Sequence, residues 1–288
     1  MHTNRFVRII VITTLATLLG ACAQLFFYPD RDPRKTPADF GLGYRDITFR
    51  SADGTALHGW LIPATGKAAG TVVVLHGNAQ NLSTHFMMVA WLAKQNFNVF
   101  IADYRGYGRS AGMPDIPGVH ADAEAMLTTA LDLPETRGHG FVLFGQSLGG
   151  SIAIYLGAHS PQRHRLSAVI AESAFCGYRT ITRVKLSDFW LTWPFQWLPW
   201  LTLNDDYAAC DAAPIVSPLP LLLLHGDADD LVPQRQSLRI FKAAREPKEL
   251  WVYTGGHTRA FADAALRERF VRYLNDRLTA RRGIQDSR

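Results

Sequence analysis

Cysteine is scarce in this chain, with three residues among 288. No group of cysteines and histidines has the spacing of zinc ligands, so we expect neither a metal nor a cofactor. The sequence also lacks internal repeats and low-complexity tracts. Charged residues make up 19% of the chain and hydrophobic residues 48%. These values are typical of one large globular domain and exclude a disordered chain or a multi-pass membrane protein.

The excess of positive charge is small, +5 at pH 7. Much of it lies near the C-terminus, on Arg267, Arg269, Arg272, Arg277, Arg281 and Arg282. Apolar residues recur every four positions in the same segment, at Leu266, Phe270, Leu274 and Leu278. This pattern predicts a final helix with one buried stripe, and the arginines are then its solvated face. We therefore expect no nucleic-acid partner.

The N-terminus carries a targeting signal. Arg5 and Arg8 precede an apolar run over residues 9–19, which is the arrangement of a signal peptide. The run ends in Leu-Gly-Ala-Cys22, which resembles the lipobox of bacterial lipoproteins. The resemblance implies cleavage after residue 21 and acylation of Cys22. Since the next residue is not aspartate, it also implies the outer membrane of the cell envelope, with the protein facing the periplasm. The alternative is an uncleaved anchor over residues 9–28.

After the signal peptide (residues 1–21), residues 22–43 contain several prolines and charges and predict a tether outside the core. Residues 44–288 alternate strand and helix patterns, which predicts a mostly parallel twisted sheet with helices on both faces. The predicted strands are a hairpin at 44–50 and 56–63, then 71–75, 98–103, 141–144, 168–171, 220–224 and 249–253. The predicted helices before the last one are 83–94, 120–131 and 234–244.

One segment interrupts this alternation. Almost fifty residues separate the strand that ends near Glu172 from the strand near Leu221, too many for a plain crossover. We predict a short cap insertion at about residues 176–213. It holds four of the seven tryptophans, Trp190, Trp193, Trp197 and Trp200. One interpretation is a cap whose aromatic surface lines an acyl pocket or touches lipid, and the other is a small helical insertion that buries its own aromatics.

Two cysteines, Cys176 and Cys210, bracket this cap. An exported chain meets an oxidising compartment, where a pair of this kind can form a disulfide. Two small buried thiols are the alternative, and the sequence does not separate the two.

The sequence Phe-Gly-Gln-Ser147-Leu-Gly-Gly150 indicates a nucleophile. It follows an apolar strand and opens a helix-compatible run, so Ser147 is expected at the tip of a sharp strand-to-helix turn. A GxSxG pentapeptide is weak evidence by itself. Its weight comes from the strand before it, the helix after it and the partners downstream.

A serine hydroxyl needs a base to accept its proton and an acid to orient that base. His257 follows the last predicted strand of the sheet, after two glycines. The preceding strand ends in His225-Gly-Asp227-Ala-Asp229-Asp230-Leu-Val-Pro233, and spacing alone does not separate the three acids. The chain order of serine, acid and histidine is that of one hydrolase architecture. We expect His76 and His225, each at a strand end before a glycine, to order loops.

Together these motifs resemble the α/β-hydrolase superfamily, in particular Bem46-like serine hydrolases with an HGN oxyanion loop. The resemblance covers nearly everything from about Tyr44 onward. It implies the α/β-hydrolase fold, and its HGxxDxxVP pattern implies Asp229 as the acid. His76-Gly77-Asn78 matches the oxyanion loop and implies the backbone N–H of Asn78 as one donor. The N–H of Leu148, at the start of a helix, is the other expected donor.

The function implied is a membrane-tethered serine hydrolase that cleaves carboxylic or thio esters of lipid or small-molecule acyl groups through an acyl-enzyme intermediate. A serine aminopeptidase-like peptidase and a non-catalytic envelope scaffold are the alternatives. The fold itself does not determine the substrate.

Overall fold

A central sheet organises the molecule. The computed structural model describes residues 26–286, with side chains through Ala280. The strands are β1 Tyr28–Pro29, β2 Arg45–Arg50, β3 Ala56–Ile62, β4 Gly70–Leu75, β5 Ala79–Gln80, β6 Phe97–Asp103, β7 Phe141–Gln146, β8 Leu166–Glu172, β9 Leu221–Gly226 and β10 Lys248–Tyr253. In the described residues, eight of them form one sheet in the order β10-β9-β8-β7-β4-β6-β3-β2.

The predicted hairpin lies at one edge of this sheet. Strands β2 and β3 pair antiparallel, with Arg45 opposite Leu61 and Arg50 opposite Ala56. Strand β3 also runs antiparallel to β6, whereas the six strands β6, β4, β7, β8, β9 and β10 are parallel to one another. The predicted fold class, a mostly parallel sheet of the α/β-hydrolase type, is confirmed. In such a sheet, reactive groups gather where the parallel strands end.

Helices cover both faces of the sheet. The α-helices of the described residues are α1 Leu82–His85, α2 Ile116–Asp132, α3 Leu148–His159, α4 Tyr178–Ser187, α5 Pro199–Thr202, α6 Ala209–Val216, α7 Arg235–Ala243 and α8 Ala264–Asp286. Short 3-10 segments add Pro37–Phe40, Phe86–Met88, Ala90–Gln95, Pro134–Thr136, Arg163–Arg165, Trp193–Phe195 and Ala260–Ala262. Within residues 26–286, no helix is long and apolar enough to cross a membrane.

The alternation of side chains along each strand produces two cores. In β4, Val73 and Leu75 point into the core beneath α2, α3, α6 and α7. Their neighbours Val72 and Val74 point into the other core, beneath α8. A strand that is buried on both faces therefore carries a continuous β-branched run, as its sequence indicates. The predicted stripe of α8 is confirmed, because Leu266, Phe270, Leu274 and Leu278 are all buried.

The predicted helix over residues 83–94 is wrong in its geometry. The chain makes one short α-helix, α1, and then two 3-10 segments separated at Val89, whose φ and ψ are −126° and −13°. Phe86, Val89 and Leu92 are fully buried. Their spacing of three residues matches the period of a 3-10 helix and turns all three inward.

The predicted tether is partly built into the fold. From Phe26 onward the chain contacts the domain, and Phe27 is buried in the core. Strand β1 pairs in parallel with β5, with Tyr28 opposite Ala79 and Pro29 opposite Gln80. The prolines and charges of this segment led to the prediction of a tether, but its apolar residues Phe26 and Phe27 pack against the domain. Cys22 and the predicted signal peptide lie outside the described residues.

The structure of the cap contradicts the interpretation in which the insertion buries its own aromatic residues. It consists of α4, α5 and the 3-10 turn between them, followed by α6. Trp190, Trp193, Trp197 and Trp200 are exposed, with 45–78% of their surface accessible. The insertion therefore does not bury its own tryptophans.

A buried ion pair fixes the turn after β6. The backbone N–H of Arg105 and its Nε both donate to Asp122 Oδ2, at 2.8 and 3.0 Å, and Nη2 donates to Oδ1 at 2.8 Å. These contacts raise the pKa of Arg105, whose hydrogen bond to Asp122 is the largest cause. The sequence assigned no chemical role to Asp122, because its partner is 17 residues away and outside its helix.

Replacing Asp122 by alanine is expected to lower the free energy of unfolding by about 3 kcal/mol, since it leaves a largely buried guanidinium with only the half-exposed carboxylate of Asp53, at 2.9 Å, as an ionic partner. Asp132→Ala removes an exposed carboxylate from the same helix and is expected to change stability by less than about 0.5 kcal/mol. Urea unfolding of both variants measures the difference. Equal losses would show that the ion pair does not hold this turn.

Candidate active site

Ser147 lies at a sharp turn between β7 and α3. Its φ of 55° and ψ of −114° are rare for any residue that has a Cβ. The turn is held from behind, because the N–H of Ser147 donates to the backbone carbonyl of Glu172 at 2.8 Å. Strain of this kind persists only where the surrounding structure enforces it, and it is concentrated at functional sites.

Gly145 and Gly149, on either side of Ser147, have no room for a side chain. A Cβ on Gly145 would lie 2.0 Å from the carbonyl oxygen of Gly149, and a Cβ on Gly149 would lie 2.0 Å from the carbonyl oxygen of Leu75. Both distances are far inside van der Waals contact with backbone atoms that cannot move away. The spacing of the motif therefore follows from how closely α3 crosses β7 and β4.

His257 and Asp229 are in direct contact. Nδ1 of His257 lies 2.8 Å from Oδ2 of Asp229, while Oδ1 accepts the N–H groups of Leu231 at 3.0 Å and Val232 at 2.8 Å. Burial opposes ionisation of Asp229, but these hydrogen bonds outweigh it and lower the pKa of the carboxyl below its ordinary value. Asp229 is therefore an anion at neutral pH, oriented toward the imidazole.

The other two acidic candidates lie elsewhere. Asp227 is exposed and accepts the N–H of Gly255 at 3.0 Å, which ties together the two loops after β9 and β10. Asp230 is exposed on the same loop. Among these three acids, Asp229 is the one that contacts His257 in the described structure.

Ser147 and His257 open into one cavity of about 660 Å³. Its polar floor also contains Gly77, Asn78 and Gln146, at the carboxyl ends of β4 and β7. Its apolar walls come from the cap and the N-terminal segment and include Phe26, Phe175, Ile181, Leu186, Phe189 and Leu198.

The predicted oxyanion loop lies beside the serine. A Cβ placed on Gly77 would be 3.7 Å from the Cβ of Ser147. Asn78 is held on both sides, because Tyr107 donates its hydroxyl to the Asn78 carbonyl at 2.7 Å and the side-chain amide donates to the Phe26 carbonyl at 2.6 Å. Leu148 begins α3, and the first N–H groups of a helix have no carbonyl partner within it.

Three histidines near the site have other roles. His225 contacts Ser237 through Nδ1 at 2.6 Å and the Val232 carbonyl through Nε2 at 2.8 Å, so it supports the acid loop. His76 contacts the Gly77 carbonyl at 2.7 Å and lies under the oxyanion loop. His85 stacks on His76, and burial lowers the pKa of His85 to about 4, which leaves a neutral ring at the cavity wall.

Sequence reasoning missed Glu172, the fully buried last residue of β8. Its Oε2 accepts from Gln146 at 2.7 Å, and its Oε1 accepts from the hydroxyl of Tyr253 at 3.0 Å and the N–H of Ala260 at 2.9 Å. Burial raises the pKa of the Glu172 carboxyl, although these three donors oppose the rise. A lone acidic residue at the end of an otherwise apolar strand was the available signal. The carboxyl connects the serine turn with the loop that carries His257.

Glu172→Gln is expected to lower kcat by about tenfold or more, with little change in KM, in an assay with an ester, the substrate class that the sequence predicts. The amide replaces an acceptor by a donor, so one of the three contacts is lost and His257 shifts relative to Ser147. Steady-state kinetics, together with a melting curve, measures this. Glu124→Gln is the matched control, a half-buried carboxyl that contacts Ser160 far from the cavity. A pure rise in KM, or an equal effect of the control, would contradict a positioning role.

The two cysteines of the cap are joined in a disulfide, with an S–S distance of 1.99 Å. The bond connects the loop after β8 with α6 at the base of the cap, where the N–H of Cys210 also donates to the Cys176 carbonyl at 2.9 Å. In the part of the chain that the structure describes, no group of three His, Cys, Asp or Glu side chains could hold a metal ion.

Comparison with known proteins agrees with this architecture. Residues 66–214, just over half of the chain, match the family model described as serine aminopeptidase, S33. The chain is 32% identical to the Salmonella typhimurium protein YfhR over 97% of this chain and 99% of that one. It is 29% identical to protein bem46 of Schizosaccharomyces pombe, over 73% and 69% of the two chains.

Among solved structures, an esterase of Pyrococcus furiosus has a TM-score of 0.68 at 21% identity, covering 88% of this chain and 98% of that one. This likeness shows the same fold. The family match, over more than half of the chain, shows that the chain belongs to the serine aminopeptidase S33 family of α/β hydrolases.

Proposed function

We propose that this hydrolase is a membrane-tethered serine esterase that cleaves carboxylic or thio esters through an acyl-enzyme intermediate. One observation carries the proposal: His257 contacts the buried carboxylate of Asp229 at 2.8 Å and shares a cavity with Ser147 at its strained turn. An imidazole oriented by an acid beside an accessible serine is the arrangement that nucleophilic acyl transfer requires.

In the first half-reaction, Oγ of Ser147 bonds to the acyl carbon and its proton passes to Nε2 of His257. The carbonyl π electrons move to the oxygen, and the backbone N–H groups of Asn78 and Leu148 donate to that oxyanion. Each donor of this type stabilises the transition state by roughly 3 kcal/mol. The tetrahedral intermediate then collapses, the bond to the leaving oxygen or sulfur breaks, and His257 returns its proton to the leaving group.

In the second half-reaction, water takes the place of the leaving group. His257 accepts a proton from the water while the oxygen of the water bonds to the acyl carbon. The second tetrahedral intermediate then collapses, the bond between Oγ of Ser147 and the acyl carbon breaks, and His257 returns its proton to Oγ, which leaves a carboxylic acid and free Ser147. Asp229 remains an anion throughout and stabilises the imidazolium that forms in each half.

The composition of the cavity favours esters over peptides with a free amino terminus. An aminopeptidase needs an anionic group to bind the substrate ammonium. Among the described residues that line this cavity there is no Asp or Glu, whereas Lys185 contributes a cation. The apolar walls fit an acyl chain, which supports the esterase over the peptidase.

We expect kcat/KM for p-nitrophenyl butyrate to exceed that for alanine p-nitroanilide by at least about a hundredfold, because a cationic, apolar pocket penalises a substrate ammonium. Parallel assays of the purified protein measure both constants. A preference for the anilide would favour the peptidase. Turnover of neither substrate, together with failure to react with a fluorophosphonate, would favour the scaffold.

The tether is the second part of the proposal. Its support is the sequence Leu-Gly-Ala-Cys22, only four residues before Phe26, where the described fold begins. Acylation of Cys22 in the cell envelope would leave almost no spacer between lipid and domain, which favours a substrate in or near the outer membrane.

A further inference from the structure

The cap carries an unusual density of exposed apolar side chains. Residues 189–201 include eight large hydrophobic residues that are 45–78% exposed, and we refer to this segment as the cap patch. They are Phe189, Trp190, Leu191, Trp193, Phe195, Trp197, Trp200 and Leu201. Isolated exposed hydrophobic residues are ordinary, but a concentration of this kind marks a surface that contacts protein or membrane.

Seven of the eight exposed side chains of the cap patch lie outside the wall of the cavity, and Phe189 is the exception. The cap contributes Ile181, Leu186 and Leu198 to the cavity, together with Phe189 at the boundary. The four tryptophans of the patch do not line it. The cap is therefore apolar on two sides, with one side toward the candidate site and the other toward the exterior.

The N-terminal segment brings the predicted anchor to the same place. Phe26 lines the cavity and packs edge-to-face on Phe175 at 6.2 Å and on Tyr178, the first residue of cap helix α4, at 5.4 Å. A fully extended chain gains at most about 3.5 Å per residue, so the four steps from Phe26 back to Cys22 span at most about 14 Å. The headgroup region of a bilayer that holds an acylated Cys22 must then lie within that distance of Phe26, which lines the cavity.

We propose that the cap patch inserts into the interface of the membrane to which the chain is anchored, so that the cavity receives acyl groups from the bilayer. Tryptophan is the side chain that most favours the membrane–water interface, with its ring in the apolar zone and its N–H toward the headgroups. The guanidinium of Arg183 lies 5.9 Å from the ring of Trp200, so it brings a positive charge to the patch that suits anionic phospholipid headgroups. The proposal rests on the proposed N-terminal anchor but does not require turnover.

Tryptophan fluorescence tests the contact in the full, membrane-derived protein. The chain is purified in detergent, its acylation is checked by intact mass, and it is reconstituted in phosphatidylethanolamine–phosphatidylglycerol vesicles with or without dibrominated acyl chains. Bromine quenches only the tryptophans that it touches. The control variant carries phenylalanine at positions 190, 193, 197 and 200 and retains Trp60, Trp91 and Trp251 in the domain.

We expect brominated lipid to remove a large part of the emission of the wild-type protein and to leave the emission of the control variant unchanged. Equal wild-type emission in both vesicles would overturn the proposal. Blue-shifted but unquenched cap emission, with dimers in detergent, would overturn it too, since a second copy would then cover the patch. Because the readout is emission, an inactive but quenched protein would refute only the esterase, and an active but unquenched protein only the membrane contact.

Discussion

Ser147→Ala is expected to lower kcat for p-nitrophenyl butyrate by about a millionfold, to the residual rate that binding and the oxyanion donors sustain. The hydroxyl is the atom that forms the acyl-enzyme, and no neighbouring group in the proposed mechanism replaces it. Substrate binding is expected to persist, because the apolar walls of the cavity are unchanged. Initial-rate measurements on the purified variant give the loss.

Ser187→Ala is the matched control, because it removes an exposed cap hydroxyl that donates only to the Val184 carbonyl. It is expected to leave kcat within a factor of two or so of the wild type, as surface substitutions generally do. If Ser147→Ala kept even a tenth of the activity, hydrolysis would have to proceed through another nucleophile or through directly activated water.

Asp229→Asn is expected to lower kcat by about ten-thousandfold while changing KM little. The amide has nearly the shape of the carboxylate, but it has no negative charge to stabilise the imidazolium. It also favours the wrong tautomer of His257, because it can present a donor to Nδ1. The kinetic loss therefore measures the electrostatic and orienting contribution of the 2.8 Å contact.

Two neighbouring carboxylates provide the controls for this prediction. Asp227→Asn and Asp230→Asn change exposed side chains of the same loop and are expected to retain most of the activity. A loss at residue 227 or 230 that matches the loss at residue 229 would contradict the assignment of the acid.

The architecture could be predicted because its determinants are local. The β-branched run of β4 and the four-residue stripe of α8 are patterns that the surrounding fold only reinforces. The prediction of one α-helix over residues 83–94, after β5, was wrong because its determinants are not local. The composition of this segment suits an α-helix, but burial of Phe86, Val89 and Leu92 against the sheet selects a period of three.

The residues of the candidate site that belong to sequence motifs could be predicted. Residues 147, 229 and 257 were named from spacing and resemblance, and the structure brings them to one edge of the sheet. Glu172 and Asp122 were not found, since each acts through partners from distant segments and neither belongs to a motif. Contacts of this kind arise only when the chain is folded.

Labelling with a fluorophosphonate, followed by peptide mass spectrometry, tests the central claim most directly, because the reagent reacts only with a serine whose proton is accepted by a positioned base. We predict stoichiometric modification of Ser147 in the wild-type protein and at least about a thousandfold slower labelling after His257→Ala. Modification of a different serine, or labelling of Ser147 that does not depend on His257, would contradict the account.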